Sequence, residues 1–387
     1  MSATLVTPEA SVRSPIDLTS INTIRTLAMD GVQAADSGHP GTPMAMAPVA
    51  YCLWQQFLRF DPQDPVWPNR DRFVLSIGHA SMLLYALLHL TEVRAVSKDY
   101  ENLGEPSVPL DALKAFRQLD SRCPGHPEYR WTSGVETTTG PLGQGVATSV
   151  GMAIARQWLA SRYNRPGFDL FGFNVYALCG DGCMEGVSGE AASLAGHLRL
   201  SNLCWIYDNN HITIEGNTAL AFSEDVATRF IGYGWNVTRV GDANDLEMLA
   251  RAFRTFQNTN DRPTLIIVDS HIGYGATSRI PAARTASPWE KRRFVSPNGT
   301  TAGPKTRNSM CRMAFTITSA RGLVSEARTC AMPGLSELPS IASNIPSLPK
   351  ICFVCSTGSF PKVGTTACPN SPRTRKAWQH ASPRRRC

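Results

Sequence analysis

Apolar and polar residues alternate with helical spacing in two segments near the start of the chain. Residues 17–36 carry apolar side chains at intervals of three and four, which predicts an amphipathic helix that ends by Ser37. Residues 41–60 are apolar on nearly every side, which predicts a second and mostly buried helix. The run FVLS at 73–76 predicts a short strand that leads into a helix over 78–91.

A stretch rich in Pro and Gly follows, and then a glycine loop opens a long helix over 140–163. Beyond it, continuously apolar strands alternate with helices, which predicts an α/β fold with a parallel sheet covered by helices on both faces. Ligands of such sheets bind at the carboxyl ends of the strands. The strands are predicted at 174–180, 202–208 and 264–270, and the helices at 188–199 and 245–256.

Length and composition limit the cellular locations that we expect for a protein with this fold. The chain of 387 residues contains no run of 18 apolar residues, so we predict that it does not span a membrane. Residues 1–16 lack the pattern of a secretory signal and are predicted to be a flexible leader. Eleven cysteines in a chain without such a signal indicate reduced thiols and a cytoplasmic location.

Charge divides the chain at about Ala276. Residues 277–387 hold 18 Lys and Arg against three Glu and no Asp, a net charge of +15. Residues 1–276 hold 20 basic and 28 acidic residues, a net charge of −8. The overall charge of +7 is an average of two unlike parts and indicates no partner by itself. We therefore divide the chain into the leader, a folded domain over 17–276 and a tail over 277–387.

Polar residues follow two successive strands of the predicted sheet. Asp181 and Gly182 lie in the sequence GDG at the end of one strand, where glycines allow the backbone to turn tightly and approach a ligand. The next strand ends at Asn210, and the carbonyl of Ile212 comes just beyond it. A carboxylate, an amide and a backbone carbonyl supply half of an octahedral oxygen site, as Mg²⁺ requires. A GDG alone is more often a surface turn, but its pairing with a second strand end favours the metal site.

GDG followed by Asn about thirty residues later resembles the metal-diphosphate motif of thiamine-diphosphate enzymes. Four further motifs resemble the transketolase family specifically: DSGHPGTPM, SIGHAS, CPGHPE and GVETTTGPLGQG. The resemblance extends over about residues 17–276. The resemblance implies bound thiamine diphosphate with Mg²⁺ or Ca²⁺, and a homodimer that acts on sugar phosphates. It also implies roles for ten positions. Asp181, Asn210 and Ile212 would hold the metal, Gly182 and His79 would contact the diphosphate, Gly140, Pro141 and Leu142 would line the cofactor, and His39 and His126 would face the sugar.

Taken alone, several of these residues have ordinary structural explanations. His79 suits a helix cap, His39 suits a turn, and GPLGQG suits a packing loop before a helix. The functional interpretation of the histidines needs a group that titrates near neutrality to polarise a carbonyl and move hydroxyl protons. One departure from the family pattern concerns the loop after GDGC: two residues precede EG in the family, but only Met184 does here. Glu190 is therefore as good a candidate as Glu185 for a supporting or subunit-interface carboxylate.

Three hypotheses compete for the basic tail. A nucleic-acid-binding arm would explain the charge, but the arginines lack helical spacing and interleaved aromatic residues, so we expect no nucleic-acid partner. A zinc module could use Cys352 and Cys355, but no second pair matches them. The third hypothesis is translation in the wrong reading frame.

The third hypothesis can be tested from the protein sequence. With permitted third bases, codons for TSRIPAARTASPWE read one base earlier give HKQDTSGAHGEPLG, and the next segments give EEEVRLTKRHYGWP and EDAKFYVPDGV. This product resembles the continuation of the family, and its histidine codon straddles Arg284 and Thr285. We therefore interpret residues from about 277 onward as an out-of-frame, disordered tail.

The expected activity follows from the resemblance: transfer of a two-carbon ketol unit between ketose and aldose sugar phosphates. In the family, the carboxylate that activates the cofactor comes from a second domain on the partner subunit, and this domain lies beyond residue 276. Two alternatives remain: a non-catalytic fragment that binds Mg²⁺ and thiamine diphosphate or dimerises, and a dihydroxyacetone synthase. The chain as written is expected to be inactive alone.

Overall fold

A computed structural model describes residues 14–213 and 216–275. Eight helices and nine strands lie in these ranges. The helices are α1 (Pro15–Ala34), α2 (Gly41–Gln56), α3 (Ser81–Leu90), α4 (Leu110–Lys114), α5 (Gln144–Tyr163), α6 (Ser188–His197), α7 (Val226–Gly232) and α8 (Leu246–Asn258). The strands are β1 (Arg72–Leu75), β2 (Arg94–Val96), β3 (Asn102–Pro106), β4 (Val175–Gly180), β5 (Leu203–Asn209), β6 (Ile212–Thr213), β7 (Gly216–Asn217), β8 (Asn236–Val240) and β9 (Thr264–Asp269).

The main sheet is parallel, with five strands in the order β1-β4-β5-β9-β8. Every residue of β4 and β5 is buried, which matches the continuous apolar runs in the sequence. The predicted α/β class and the parallel sheet are therefore confirmed. The hairpin of β2 and β3 and the pair of β6 and β7 are separate two-stranded sheets.

Helices cover both faces of the sheet, as two aromatic side chains show. Trp205 on β5 donates a hydrogen bond to Ser149 of α5 (2.9 Å). Tyr176 on β4 is paired in register with Cys204, the residue before Trp205, so it points to the opposite face, where it packs edge-on against Phe256 of α8. Each such side chain is fully buried and contributes about 1.5–3 kcal/mol to the free energy of unfolding.

The first helix begins slightly earlier than the sequence predicts. The predicted leader ends at residue 16, but α1 begins at Pro15, because Ser14 and Asp17 form a capping box at its start. The remaining leader residues up to 13 lie outside the described residues, and so does the predicted tail over 277–387. No helix in the described ranges is long and apolar enough to cross a membrane.

Candidate functional site

Four strands of the main sheet end at one edge, and the segments that follow three of them carry five of the ten predicted site residues. β1 leads into a short 3₁₀ turn, Gly78–Ala80, which holds His79. β4 leads into a second 3₁₀ turn, Asp181–Cys183. β5 is followed by Asn210, and β9 by Ser270. Because these strands are parallel neighbours, their carboxyl ends lie side by side.

Asp181 is the most unusual side chain at this edge. It is only 3% exposed, and its Oδ1 accepts a 2.5 Å hydrogen bond from the hydroxyl of Tyr207. Its Oδ2 is buried and accepts no hydrogen bond from the described residues. Burial raises the pKa of Asp181, while the Tyr207 bond and the nearby backbone amides of Asn210 and Ile212 act in the opposite direction. A buried carboxylate oxygen without a donor is costly unless a cation or a proton compensates it.

Asn210 and Ile212 lie beside this carboxylate. Asn210 donates from Nδ2 to Oδ2 of Asp208 (2.9 Å), and its Oδ1 accepts the backbone N–H of Ile212 (2.9 Å). His211 between them has φ 60°, a left-handed conformation that folds the chain tightly. Strained residues of this kind concentrate at functional sites. The structure thus brings together the three residues predicted to hold the metal, with the backbone amides of Asn210 and Ile212 close to the Asp181 carboxylate; their role as ligands remains a prediction.

Asp208 is a buried carboxyl that the sequence analysis did not single out. Burial raises its pKa to about 7, and the charge of Asp181 adds to this effect, whereas hydrogen bonds from Ser270 and Asn210 oppose it. The Ser270 hydroxyl donates to Oδ1 at 2.5 Å. Asp181 and Asp208 therefore lie close enough for the charge of Asp181 to raise the pKa of Asp208.

The turn at Gly182 lies against the side chain of Leu142. A Cβ at Gly182 would lie 2.6 Å from Cδ1 of Leu142, so the predicted cofactor-lining loop packs directly over the predicted diphosphate contact. Pro141 is exposed in the same loop, and its carbonyl accepts the N–H of Gln144. Gly143 has φ 89° and begins α5 without a capping side chain. A helix N-terminus of this kind favours anions.

The three predicted histidines form one group. The rings of His39 and His79 lie 4.9 Å apart between centroids. A Cβ at Gly140 would lie 3.8 Å from the ring of His126, which places that ring against the loop. Burial lowers the pKa of His79 to about 4, and the neighbouring His39 and His126 lower it further, so this imidazole is neutral at pH 7. The pKa of His126 is also lowered, chiefly by burial. All ten predicted residues therefore fall into one continuous region.

Ser76 is a connecting residue that sequence reasoning missed. Its hydroxyl accepts the N–H of Val146 in α5 (3.1 Å) and contacts the thiol of Cys183 (3.4 Å). It thereby joins the end of β1, the start of α5 and the GDG turn. A single Ser after the strand FVL gives no sequence signal for this role.

The shortened loop after GDGC leaves Asp181 at the end of β4. Met184 donates its N–H to the carbonyl of Asp181 (2.9 Å), and its own carbonyl accepts from Arg229 (3.2 Å). Glu185 and Glu190 are both exposed and line an open groove with Arg229. Neither carboxylate reaches the predicted metal ligands by a hydrogen bond in the described structure, and their suggested roles remain predictions.

Two pockets in the described structure differ in whether they contain the predicted metal ligands. The groove along α6 is the larger, at about 920 Å³, but it contains none of the predicted metal ligands. The smaller, about 330 Å³, is lined by Asp181, Tyr207 and His211. Within the described ranges no three His, Cys, Asp or Glu side chains form a metal-binding group. The predicted site has a different composition, with one carboxylate, an amide and a carbonyl.

Comparisons with known proteins agree with this geometry. Residues 16–287 match the family model described as "Transketolase, thiamine diphosphate binding domain". The match ends eleven residues beyond the predicted boundary at 276. A transketolase of Geobacillus stearothermophilus is 53% identical over 265 residues, which cover 68% of this chain and 38% of that protein. Transketolase 1 of Escherichia coli is 50% identical over 259 residues, 67% of this chain and 37% of that protein.

Solved structures give the same result. The transketolase of Pichia stipitis in complex with sedoheptulose-7-phosphate superposes with a TM-score of 0.78 at 37% identity, covering 90% of this chain and 50% of that one. The Leishmania mexicana transketolase gives a TM-score of 0.71 at 38% identity, covering 84% and 48%. The chain spans less than two fifths of the length of these curated relatives. By sequence and by fold, the chain belongs to the transketolase family, of which it carries the thiamine diphosphate-binding domain.

Proposed function

We propose that the chain binds thiamine diphosphate together with Mg²⁺ or Ca²⁺ at the carboxyl edge of its sheet. We further propose that the whole protein transfers a two-carbon ketol unit between ketose and aldose sugar phosphates. The observation that carries it is Oδ2 of Asp181, a buried carboxylate oxygen without a hydrogen-bond donor beside the Gly182 turn. Family membership supplies the chemistry that this oxygen would serve.

The residues present fit a divalent cation. Asp181 offers Oδ2, Asn210 offers Oδ1, and Ile212 offers its carbonyl, all of which are hard oxygen donors. The Tyr207 hydroxyl compensates only Oδ1 of Asp181, so a cation beside Oδ2 would remove the remaining desolvation cost of the buried charge. Three protein ligands leave room for oxygens from a diphosphate and from water, as is usual for Mg²⁺.

The diphosphate would lie against the Gly182 turn and the start of α5, where the N-cap residue Gly143 supplies no side chain. Backbone N–H groups at a helix N-terminus favour negative charge. His79 is neutral at pH 7 and can donate one hydrogen bond to a phosphate oxygen without bringing a second charge. Gly140, Pro141 and Leu142 would line the rest of the cofactor.

His39 and His126 would face the sugar. A neutral imidazole can accept a proton from one hydroxyl and return it to another, and His126 is exposed to incoming ligands. The cofactor, when bound, supplies the carbanion chemistry of ketol transfer, whereas the protein orients the reacting groups. The relative crystallised with sedoheptulose-7-phosphate supports sugar phosphates as substrates.

A second candidate function follows from the length of the match. The chain covers only 37–38% of the length of the relatives. As a separate polypeptide it would then be a non-catalytic fragment that binds the cofactor or dimerises.

We also propose that residues from about 277 onward are an out-of-frame translation. The support is that codons permitted for these residues, read one base earlier, encode a sequence that resembles the continuation of the family. An uninterrupted gene sequence with no shift relative to transketolase would contradict it.

A reduced cytoplasmic setting remains part of the proposal. It is supported by the five cysteines within the described residues, all of which are buried and free: Cys52, Cys123, Cys179, Cys183 and Cys204.

Cofactor binding and turnover can be measured separately on the full chain. Titration with thiamine diphosphate in the presence of Mg²⁺, followed by calorimetry, is expected to show saturable binding. Asp181→Asn should weaken this binding at least tenfold, because it removes the charged ligand. The matched control is Asp261→Asn, an exposed carboxylate that precedes β9 at the opposite edge of the sheet.

The same preparation decides between the two candidate functions. Absence of binding by the unsubstituted chain would reject the cofactor proposal. A ketol-transfer assay with xylulose-type donors and aldose phosphates should show no turnover, since the chain spans so little of its relatives. Measurable turnover without added full-length enzyme would instead reject the fragment hypothesis.

A further inference from the structure

The last residues of β5 contact both side-chain ligands of the proposed cation site. Tyr207 and Asp208 are only 2% and 1% exposed, and they stand three and two residues before Asn210 in the chain. Successive residues of a strand point to opposite faces, so the two side chains approach the site from different sides. Tyr207 donates to Oδ1 of Asp181 at 2.5 Å. Asp208 accepts from Nδ2 of Asn210 at 2.9 Å.

The Tyr207 hydroxyl makes the two oxygens of Asp181 different from each other. Oδ1 is engaged by the hydroxyl, whereas Oδ2 is buried and has no donor. A carboxylate in this state offers one oxygen to a cation. Without the hydroxyl, both oxygens would be available, and the carboxylate could bind a cation through two oxygens at once.

The Asp208 carboxylate fixes which end of the Asn210 amide faces the site. A carboxylate accepts hydrogen bonds, so it holds the NH₂ end. The Oδ1 end accepts the N–H of Ile212, which uses one lone pair and leaves the second free. A reversed amide would bring oxygen against the carboxylate and NH₂ against the Ile212 N–H, and both contacts are repulsive. Ser270 holds Asp208 in turn, through its hydroxyl at 2.5 Å.

We propose that Tyr207 and Asp208 are positioning residues: Tyr207 restricts Asp181 to one oxygen, Asp208 turns the single amide oxygen of Asn210 toward the site, and together they favour Mg²⁺ over Ca²⁺. Mg²⁺ demands a compact octahedral set of ligands, whereas Ca²⁺ accepts seven or eight oxygens and carboxylates that bind through both oxygens. A site with single-oxygen ligands held in place suits the smaller ion. This inference rests on the proposed function, in which Asp181, Asn210 and Ile212 hold the cation.

The test compares the affinities of the full chain for Mg²⁺ and Ca²⁺ at saturating thiamine diphosphate, measured by calorimetry. Tyr207→Phe keeps the ring and removes the hydroxyl. The ratio of Mg²⁺ affinity to Ca²⁺ affinity is expected to fall about tenfold, since loss of a residue that holds a metal ligand typically costs 10–100-fold. Asp208→Asn should weaken both ions by a similar factor, because an amide can turn its own NH₂ toward Asn210.

The matched control is Tyr176→Phe. Tyr176 is a second fully buried tyrosine of the same sheet, near the start of β4, and its hydroxyl makes no hydrogen bond with the described residues. Loss of this hydroxyl should leave the affinity ratio unchanged. A thermal melt of each variant separates loss of fold from loss of selectivity. If Asp208→Asn does not fold, Ser270→Ala, which loosens Asp208 without altering it, should still weaken both ions severalfold.

The outcomes distinguish this inference from the function on which it rests. If the unsubstituted chain binds neither ion, the proposed function fails and the inference fails with it. If it binds both ions and Tyr207→Phe leaves their affinity ratio unchanged, the inference is overturned while the cation site stands. A fall in the ratio for Tyr207→Phe but not for Tyr176→Phe supports the positioning role, because a purely structural hydroxyl would alter stability and not selectivity.

Discussion

His79 connects the chemistry of the site to the stability of the domain. Its pKa is lowered to about 4, first by burial and then by His39 and His126. In the unfolded chain its pKa returns to about 6.5. Between these two values the unfolded state binds more protons than the folded state, so the free energy of unfolding decreases as the pH falls from about 6.5 to about 4.

We therefore expect His79→Gln to reduce the acid sensitivity of the domain. Denaturant unfolding at pH 7 and at pH 4.5 should show a smaller loss of stability for the variant than for the unsubstituted chain, by about 1–3 kcal/mol. His197→Gln, an exposed histidine at the end of α6, is the matched control. An equal loss in all three proteins would contradict the assignment of this pH dependence to His79.

The residues of the site divide into those that the sequence predicts and those that it cannot. Asp181 is flanked by glycines at one strand end and Asn210 follows another strand end, where their oxygens have a recognisable use. Tyr207, Asp208 and Ser76 act through other side chains, and their partners are set by the pairing of strands that are distant in sequence. A pattern in one segment therefore indicates the group that would contact a ligand, but not the neighbour that orients it.

At the scale of elements, α5 is held close to β1 by a glycine. A Cβ at Gly145 would lie 2.6 Å from Cα and 2.8 Å from Cβ of Ser76, and these atoms cannot rotate away. We expect Gly145→Ala to push the start of α5 from the end of β1 and to cost about 1–3 kcal/mol in unfolding free energy. The same displacement would move the α5 N-terminus from the proposed diphosphate site, so cofactor affinity should fall as well.

Gly151 in the same helix is the matched control. It is exposed, and nothing lies within 4 Å of a Cβ placed there. Gly151→Ala should stabilise the domain by about 0.5–1 kcal/mol, because alanine is the better helix former. Chemical denaturation of the two variants measures both effects. Equal stability changes would show that helix propensity, and not the contact with Ser76, decides the outcome at position 145.

Buried helices and strands are predicted from the sequence more accurately than exposed ones. β1, β4, β5 and β9 are apolar almost throughout, and the sequence predicts each within about two residues. β8 was missed because it is the edge strand of the sheet and only Val240 in it is fully buried. α7 spans just seven residues, too few for a helical period to be recognised, and the hairpin of β2 and β3 lies in the stretch interpreted as a Pro/Gly-rich surface.

At the scale of the molecule, helices α5 and α6 contact each other and expose large apolar side chains. Trp158 is 60% exposed and Ile154 36%, and both lie on α5 at a spacing of four residues. Leu194 on α6 is 46% exposed, and Leu198, directly after the helix, is 44% exposed. Apolar side chains grouped in this way mark protein–protein contacts more often than free surface. The exposed face of α5 and α6 is therefore a candidate contact surface, and self-association of the chain tests it.

We expect Trp158→Lys to weaken self-association of the full chain at least tenfold, because a buried tryptophan often carries about 2 kcal/mol or more of an interface. Sedimentation velocity over a range of concentrations gives the dissociation constant, and circular dichroism checks that the fold is retained. Leu119→Lys is the matched control, since Leu119 is 93% exposed in a loop remote in sequence from both helices. If the unsubstituted chain stays monomeric at every concentration, the exposed face of α5 and α6 is not a dimer interface in this polypeptide. If it dimerises and Trp158→Lys has no effect, another surface forms the contact.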